Sequence, residues 1–462
     1  MRRMGMHIRG ILRAVLVCGM SVQILLGLAW LIKNMGGLQT FQESRWLLVG
    51  EGMAGKIYSG VLYRGLAALL SSHLWILYAL QLAAAVAAAY GLMSCFVEKN
   101  QKALRILGAL ALTSIPQALQ CHLAVLPWSL GTSLLLTETA LWRKLCGERR
   151  EQNRGSAKTA VVMLFGWLLL LLIVPVYAWF SMPLLAAILW RTGKREGAKG
   201  RLLCGLAGLA IVLCCVTVNC GWNPAAWNRE LAANFLSRTG WPYFQNDYDV
   251  IPQPLHDEIG LDTARKVSYY ADGVEVSLIP RLEEQYGPEE TTSLLWELAE
   301  ICLKRNLRVD VKNVIWDMAA YHATPPILAM QLRGRAYDSH SGINYEYMKN
   351  RAPLLTRCYV TFGSRWWWVM LGLTAVLMVC GLAEHGFSGK SSIWARVREF
   401  LRRWFPALAG LEWMILCFVA EGSGIMDYKK TLWVTILWYT AVLSQLAGNM
   451  RDSKTACSRK EH

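Results

Sequence analysis

The chain alternates long apolar runs with short polar connections, and this pattern predicts about ten membrane-spanning helices. Several runs reach the ~20 residues that a helix needs to cross ~30 Å of hydrocarbon. The run 159–190 is basic on both flanks, which favours two short helices turning near 175–183 over a single span. The predicted spans are 14–32, 73–96, 106–116, 125–141, the two within 159–190, 202–219, 366–385, 405–420 and 431–446.

Basic residues orient these spans, because Lys and Arg concentrate in short cytoplasmic connections of membrane proteins. Region 221–363 holds 14 Lys and Arg against 18 Asp and Glu, whereas the rest of the chain holds 34 bases and 14 acids. We therefore predict that both termini are cytoplasmic. The predicted organisation is an N-terminal membrane domain 1–220 with a long external loop 33–72, an extracytoplasmic domain 221–363, and a C-terminal membrane domain 364–462 with about three spans and a cytoplasmic tail.

Composition agrees with a multi-pass membrane protein. Of the 462 residues, 54% are hydrophobic and only 17% are charged, whereas soluble domains average about 25% charged residues. The formal net charge of +16 belongs to the connections between spans, and no recognition motif indicates nucleic-acid binding. A cysteine-poor external region without glycosylation sequons indicates a bacterial plasma membrane.

The extracytoplasmic region is predicted to be mainly helical, because few of its segments alternate like strands. Apolar residues after Pro288 recur at helical spacing, including Leu294, Leu295 and Leu298. The chain is therefore expected to be all-α. Cys302 and Cys358 both lie in this region, and the sequence leaves open whether they form a disulfide.

The long first loop is the leading candidate for chemistry. Its Gly37–Gly60 segment reads GLQTFQESRWLLVGEGMAGKIYSG. The stretch 47–70, which begins within this segment, is half-apolar and suits a helix lying at the membrane interface. A carboxylate held against a low-dielectric surface can act as a general base, a role that Glu43 could fill. Arg45, Lys56 and Arg64 could bind a phosphate. The alternative is a polar connection in which Arg45 pairs with Glu43.

Other polar residues leave alternatives open. His122, in the turn between the third and fourth spans, is either a boundary residue or a second polar group facing Glu43. Lys349, Arg351 and Arg357 precede the eighth span, where they would bind a lipid-linked phosphate, contact lipid headgroups or solvate the boundary.

Acidic residues give no metal site by sequence. Asp247 and Asp249 are too few ligands for Ca²⁺ and are interpreted as turn residues. No metal or cofactor is predicted, although a divalent cation is left open. Glu412 and Glu138 lie within predicted spans, where carboxylates usually face a cavity or a partner. They are the residues that a transporter would use; the alternative for Glu412 is partial solvation or pairing with Arg402 or Arg403 near the cytoplasmic end of its span.

The order of segments resembles the C-type (GT-C) membrane glycosyltransferases of the protein-mannosyltransferase and aminoarabinose-transferase kind. The resemblance covers mainly residues 1–190. It rests on the acid-bearing loop after the first span, on YSGVLY at 58–63, and on the turn within 113–136. In place of the family's first carboxylate this chain has Gln42. In the turn between the third and fourth spans, where the family commonly has a Pro-acid pair, this chain has Pro127-Trp128.

The resemblance implies a glycosyltransferase that moves a sugar from a polyprenyl-phosphate donor to an envelope acceptor on the external face. Glu43 would be the base, with a lipid-linked sugar donor and membrane lipids as partners. Because Gln42 replaces an acid, the alternative is a non-catalytic GT-C-like protein whose external domain binds a partner or glycan. A transporter is the third hypothesis. The oligomeric state, the donor sugar and the acceptor do not follow from the sequence.

Overall fold

The computed structural model shows a helical protein, without a strand in the part of the chain that it describes. The predicted all-α fold class is confirmed. The described residues are 2–34, 59–97, 100–147, 153–180, 206, 208–210, 213, 217, 224–240, 244–253, 255–269, 273–323, 352–386, 436–440 and 442–443.

The helices described before residue 181 form the larger part of one bundle. α3 packs on both α4 and α6, α6 packs on α7, and α1 packs on α4. Buried alanines on α3, such as Ala85 and Ala88, allow neighbouring helices to approach closely. The bounds are α1 Arg2–Asn34, α2 Val61–Leu69, α3 Leu74–Phe96, α4 Lys102–Thr113, α5 Pro116–His122, α6 Trp128–Gly147, α7 Asn153–Ile173 and α8 Pro175–Phe180.

A later helix, α13 (Pro353–Gly386), packs along α1. A Cβ atom at Gly19 would lie 2.0 Å from the Trp366 ring, so the absence of a side chain lets this indole lie against α1. The helical residues 436–443 also belong to this core, to which they contribute Ile436, Leu437, Tyr439, Val442 and Leu443. The bundle is therefore built from both ends of the chain.

A second core lies in the segment between the two parts of the bundle. Its helices bury one shared set of side chains, which includes Leu236, Phe244, Ile259, Leu295 and Leu298. This separate core agrees with a helical domain. The elements are α9 Pro224–Gly240, α10 Phe244–Asp247, a 3₁₀ turn Tyr248–Val250, α11 Leu255–Tyr269, a π-helical turn Val274–Leu278 and α12 Ile279–Ala323.

The predicted helix after Pro288 begins where expected. Gly287 has φ 77° and interrupts α12, because only glycine readily adopts the left-handed region. Proline then suits the first turn of the next helical segment. Leu295 and Leu298 are fully buried, so the predicted inward face of this helix is confirmed.

Two helical segments among the described residues are long and apolar enough to cross a membrane, Gly10–Lys33 and Leu74–Phe96; Val161–Ile173 is a shorter apolar helix. They agree with a membrane protein, while the count of ten spans and the topology stay predictions. α7 ends at Ile173 and α8 occupies Pro175–Phe180. The predicted hairpin turn near 175–183 stays a prediction, since residues 181–205 lie outside the described residues.

α13 contains both the predicted domain boundary and Cys358, whose pairing with Cys302 the sequence leaves open. α13 runs without a break across the predicted boundary at residue 363. Cys302 is buried in the second core and Cys358 is exposed on α13, and no disulfide joins them.

Candidate functional site

A polar junction, consisting of Tyr63, Gln81, His122 and Ser129, links three parts of the bundle. The Tyr63 hydroxyl donates to Gln81 Oε1 at 3.0 Å. The Gln81 amide donates to the carbonyl oxygens of His122 and Ala124, both at 2.9 Å. Since all these groups are buried, the bonds tie α2 and α3 to the turn between α5 and α6.

α2 is held to the bundle by a second contact at its start. The Gly60 amide donates to the Ile173 carbonyl at 2.9 Å. Tyr63 and Ala67, one helical turn apart, are buried, whereas Val61, Leu62 and Leu69 are exposed apolar residues. This two-sided helix agrees with the predicted interfacial helix.

His122 is completely buried at the end of α5, between two predicted spans. Its Nδ1 atom lies 2.8 Å from Ser129 Oγ. Its Nε2 atom has no hydrogen-bond partner among the described residues. Burial lowers the pKa of His122 from 6.5 to about 3, because the imidazolium form loses its hydration. The imidazole is therefore neutral at physiological pH.

Two long-range hydrogen bonds fasten α13 to the same end of the bundle. The Trp30 indole N–H donates to Thr356 Oγ1 at 3.0 Å. The Tyr359 hydroxyl donates to the Ser114 carbonyl just before α5. Since Thr356 and Tyr359 are one turn apart, they fix which face of α13 points into the bundle.

A neighbouring face of α13, which shares Trp366 with the buried side, forms one side of an open groove of about 720 Å³. Eight residues of α13 and Leu26 of α1 line it, and the lining is almost entirely apolar. The volume lies within the ~300–1,000 Å³ typical of ligand sites. Phe362 and Trp366, which stack with ring centroids 6.0 Å apart, provide an aromatic wall.

Two arginines, Arg357 and Arg365, are the charged residues of this groove, and both are exposed. In the described part of the chain, neither guanidinium has an ion-pair or hydrogen-bond partner. Eight residues of helix separate them, a rise of about 12 Å. The groove is therefore an apolar surface bordered by two arginines, whose guanidinium groups contribute almost nothing to its lining.

The structure describes two of the predicted site residues. Arg64 is half-buried on α2, and His122 is buried in the polar junction. The other predicted residues, Glu43, Arg45, Lys56, Lys349 and Arg351, lie outside the described residues. All these roles stay predictions.

Sequence reasoning missed Gln81 and Arg365. Gln81 had a signal, because it is a polar residue inside an apolar run and such residues usually need a partner in the bundle. Arg365 had a weaker one, since an arginine beside three tryptophans is expected at any membrane boundary.

Glu138 is buried in α6, with Oε1 against Gly166 of α7 and Oε2 without a hydrogen-bond partner among the described residues. Glu412, the other acid of the transporter hypothesis, lies outside the described residues. Within the residues that the structure describes, no three His, Cys, Asp or Glu side chains come together as a metal site.

No family model, no curated protein and no solved structure matches this chain. The site must therefore be interpreted from its own residues.

Proposed function

We propose that the chain is a GT-C-like polytopic glycosyltransferase of a bacterial plasma membrane, which moves a sugar from a polyprenyl-phosphate donor to an envelope acceptor. The polar junction is the observation that carries this proposal. It joins the end of the first loop, the start of the second predicted span and the turn between the third and fourth. Two of these segments, the end of the first loop and the turn, also carry the sequence resemblance.

The proposed topology has about ten spans, cytoplasmic termini and an extracytoplasmic domain. With this orientation, the polar junction and the groove-lining start of α13 belong to the external side, where lipid-linked sugars are used. Two apolar helices of spanning length, Gly10–Lys33 and Leu74–Phe96, support a membrane location.

In the proposed reaction, the Glu43 carboxylate takes the proton of an acceptor hydroxyl. The hydroxyl oxygen then bonds to the anomeric carbon of the sugar, while the bond from that carbon to the phosphate oxygen breaks. Polyprenyl phosphate leaves with the bonding electrons. Arg45, Lys56, Arg64, Lys349 and Arg351 are the proposed bases around this phosphate, because guanidinium and ammonium groups offset its charge.

His122 is the remaining predicted site residue, and its burial constrains its part in the proposal. The neutral imidazole, which is hydrogen-bonded to Ser129, stabilises the turn between α5 and α6 and does not transfer a proton. This assigns general-base chemistry to Glu43 alone.

Transfer of radiolabelled sugar from polyprenyl-phosphate donors, measured with the full chain in liposomes, tests this function. We expect Glu43→Gln to lower the transfer rate by ~100-fold or more, as loss of a general base typically costs 10²–10⁴-fold. Glu51→Gln, a second acid of the same loop, is the matched control and should retain the wild-type rate. A wild-type transfer rate in Glu43→Gln would show that Glu43 is not the general base. The absence of transfer with any donor would refute the proposal that the chain is a glycosyltransferase.

The second candidate, a non-catalytic binding protein, is favoured by apolar side chains exposed on the helical domain. Leu231 is 52% exposed and Trp296 is 38% exposed, and the Trp296 indole N–H donates to Asn228 Oδ1 at 3.0 Å. Phe235 lies beside Trp296, with ring centroids 5.6 Å apart. Exposed aromatic residues of this kind are typical of interaction surfaces.

Binding of envelope glycan fragments to the full chain distinguishes the two candidates. A non-catalytic binder should lose affinity with Trp296→Ala and keep it with Glu43→Gln, and should transfer no sugar. Sugar transfer that is sensitive to Glu43 would exclude it.

A further inference from the structure

α13 lies antiparallel along α1, and their contacts fix which residues of the two helices lie at the same level. The residue numbers rise along α1 as they fall along α13, by nearly equal steps, as expected of two antiparallel helices. This register gives the level of any residue of α13 relative to α1. The paired positions are Gly19 with Trp366, Gly27 with Tyr359, and Trp30 with Thr356.

Charged residues at the two ends of the apolar stretch of α1 set the level of the membrane. This stretch lies within Gly10–Lys33, which is long and apolar enough to cross a bilayer, and Arg13 and Lys33 bracket it. The 20 helical residues between these two bases rise about 30 Å, which equals the thickness of the hydrocarbon core. By the register, Lys33 is level with residue 353 of α13, and Arg13 is level with residue 372.

Arg365 therefore comes close to the centre of the bilayer. It lies about 18 Å from the level of residue 353 and about 11 Å from that of residue 372. Its side chain is exposed on the outside of the bundle, and no ion pair joins it to another described residue. An unpaired charge at the membrane centre shifts the insertion equilibrium by on the order of 100-fold. Arg365 therefore needs an acidic partner.

Arg357 does not have the same need. It lies four residues after position 353, only about 6 Å inside the outer face of the bilayer. Near a membrane face, a long basic side chain reaches the headgroups while its stem stays in the apolar region. The two arginines of the groove therefore differ in depth, and only Arg365 requires a partner within the membrane.

The groove beside Arg365 suits a helix rather than a polar ligand. Its lining, formed by Leu26 and eight residues of α13, is almost entirely apolar, and the Arg365 guanidinium lies at its border. The apolar side chains of a membrane helix match such a lining. A carboxylate on the edge of the same helix would meet the guanidinium, as charged groups inside membranes pair with one another.

Two acids lie well within predicted spans, Glu138 and Glu412. Glu138 packs against Gly166 of α7, so its carboxyl group belongs to another helix contact. Glu412 stands at the middle of the predicted span 405–420, just as Arg365 stands near the middle of the bilayer. The two charges are thus opposite in sign and matched in depth.

The connections of the chain also bring this span to the groove. The stretch 387–435, which contains it, lies outside the described residues. Both ends of the stretch join the bundle, since α13 ends at Gly386 and Ile436 belongs to the same hydrophobic core. The predicted directions agree as well, because α13 runs toward the cytoplasm and the span 405–420 runs away from it.

We propose that the predicted span 405–420 occupies the groove between α1 and α13, with the Glu412 carboxylate paired to the Arg365 guanidinium near the centre of the membrane. This inference does not rest on the proposed glycosyltransferase activity. It gives Glu412 a structural partner in place of Arg402 or Arg403, and it removes Glu412 from the residues that a transporter would use.

The proposed pairing predicts a second contact, one level further out. Cys358 lines the groove seven residues before Arg365, and its thiol is exposed. Val419 stands seven residues after Glu412. Because two helical turns return a side chain to nearly the same face, Val419 of an antiparallel helix should meet Cys358.

A cysteine cross-link tests this contact with both charges intact. The background is Cys417→Ala, which removes the native thiol nearest to the introduced one. With Val419→Cys, oxidation of the full chain in liposomes should join the new thiol to Cys358 within one chain, as identified by mass spectrometry. Phe418→Cys, at a similar level but on another face of the helix, is the matched control. It should form at least ~10-fold less cross-link, because a disulfide needs close and correctly directed Cβ atoms.

A double mutant tests the charge pair itself. Glu412→Leu and Arg365→Met should each lower the ratio of folded to unfolded chain by ~10–100-fold in SDS mixed micelles, since each leaves one charge unpaired. Glu412→Leu should cost more, because a carboxylate can take up a proton whereas a guanidinium cannot lose one. The double mutant, which has no charge left to pair, should return to within ~3-fold of the wild type. Arg357→Met is the matched control and should change the ratio by less than ~3-fold.

Four results would overturn the proposal. Equal cross-linking of Val419→Cys and Phe418→Cys would show that the span does not occupy the groove in this orientation. A cross-link between two chains would identify the occupant as a second copy. Additive costs of Glu412→Leu and Arg365→Met would show that the two charges are not paired. Coupling of Glu412→Leu with Arg402→Gln instead would assign Glu412 to the cytoplasmic end of its span.

Discussion

Replacing Gln81 by leucine tests the polar junction. The side-chain amide makes three buried hydrogen bonds, one to Tyr63 and two to the carbonyls of His122 and Ala124. Hydrogen bonds between helices of membrane proteins average about 0.6 kcal/mol, with a maximum near 1.7. The loss of three therefore predicts that the free energy of unfolding falls by about 2–5 kcal/mol in Gln81→Leu.

The assay is reversible unfolding of the purified full chain in mixed micelles of rising SDS content, followed by circular dichroism. Gln23→Leu is the matched control, because Gln23 is equally buried in α1 but its side chain donates a single hydrogen bond among the described residues, to the Ala111 carbonyl at 2.6 Å. It should cost about 0.6–1.7 kcal/mol. Each substitution keeps a side chain of similar length, which limits cavity effects.

A double mutant sharpens the test, because Tyr63→Phe removes one of the same three bonds. The cost of Tyr63→Phe combined with Gln81→Leu should be about 0.6–1.7 kcal/mol less than the sum of the single costs. If Gln81→Leu costs no more than Gln23→Leu, or if the two substitutions are strictly additive, the junction does not stabilise the fold as described.

Two further predictions concern buried polar groups. Because the folded pKa of His122 is about 3, below its ordinary 6.5, the stability contributed by its neutral form is complete above pH 6.5. This stability is lost as the pH falls toward 3, at up to about 1.4 kcal/mol per pH unit. His122→Gln should flatten the dependence of the free energy of unfolding on pH, measured at stepped pH. An unchanged slope in this variant would contradict the role of His122. In Gly166→Ala, the new Cβ would lie 2.1 Å from Glu138 Oε1, so unfolding should become easier by about 1–3 kcal/mol. Adding Glu138→Ala should recover part of this cost, and a double mutant less stable than both singles would argue against the contact.

Much of the helical structure could be predicted from local sequence. The break at Gly287 and the helix that follows Pro288 are local features of backbone geometry and hydrophobic spacing. The apolar run of α3 likewise predicts its helix almost to the residue, as His73–Phe96 against the observed Leu74–Phe96. The start of α13 was less predictable. Its first helical turns, residues 353–365, lie before the predicted span 366–385, yet the structure forms one continuous helix over both.

The candidate site was predictable only in part. The sequence places His122 in a turn between two spans, but it does not say that Gln81 covers the carbonyl of that residue from a helix 41 positions earlier. The sequence indicates that Arg357 is a basic residue before a span, but it does not indicate that Arg365 borders the same groove. Both relations depend on how helices pack, and helical periodicity alone does not select the neighbour of a face.

By itself, the sequence determined that the chain is helical and where several helices begin and end, because these follow from hydrogen bonds and apolar spacing within short segments. Only the tertiary structure decided that Trp366 lies on Gly19, that Tyr63 and His122 meet through Gln81, and that α1 and α13 leave a groove flanked by arginines. These contacts join residues far apart in the chain, and their free energy depends on close packing and on pairing every buried polar atom, which no local pattern specifies.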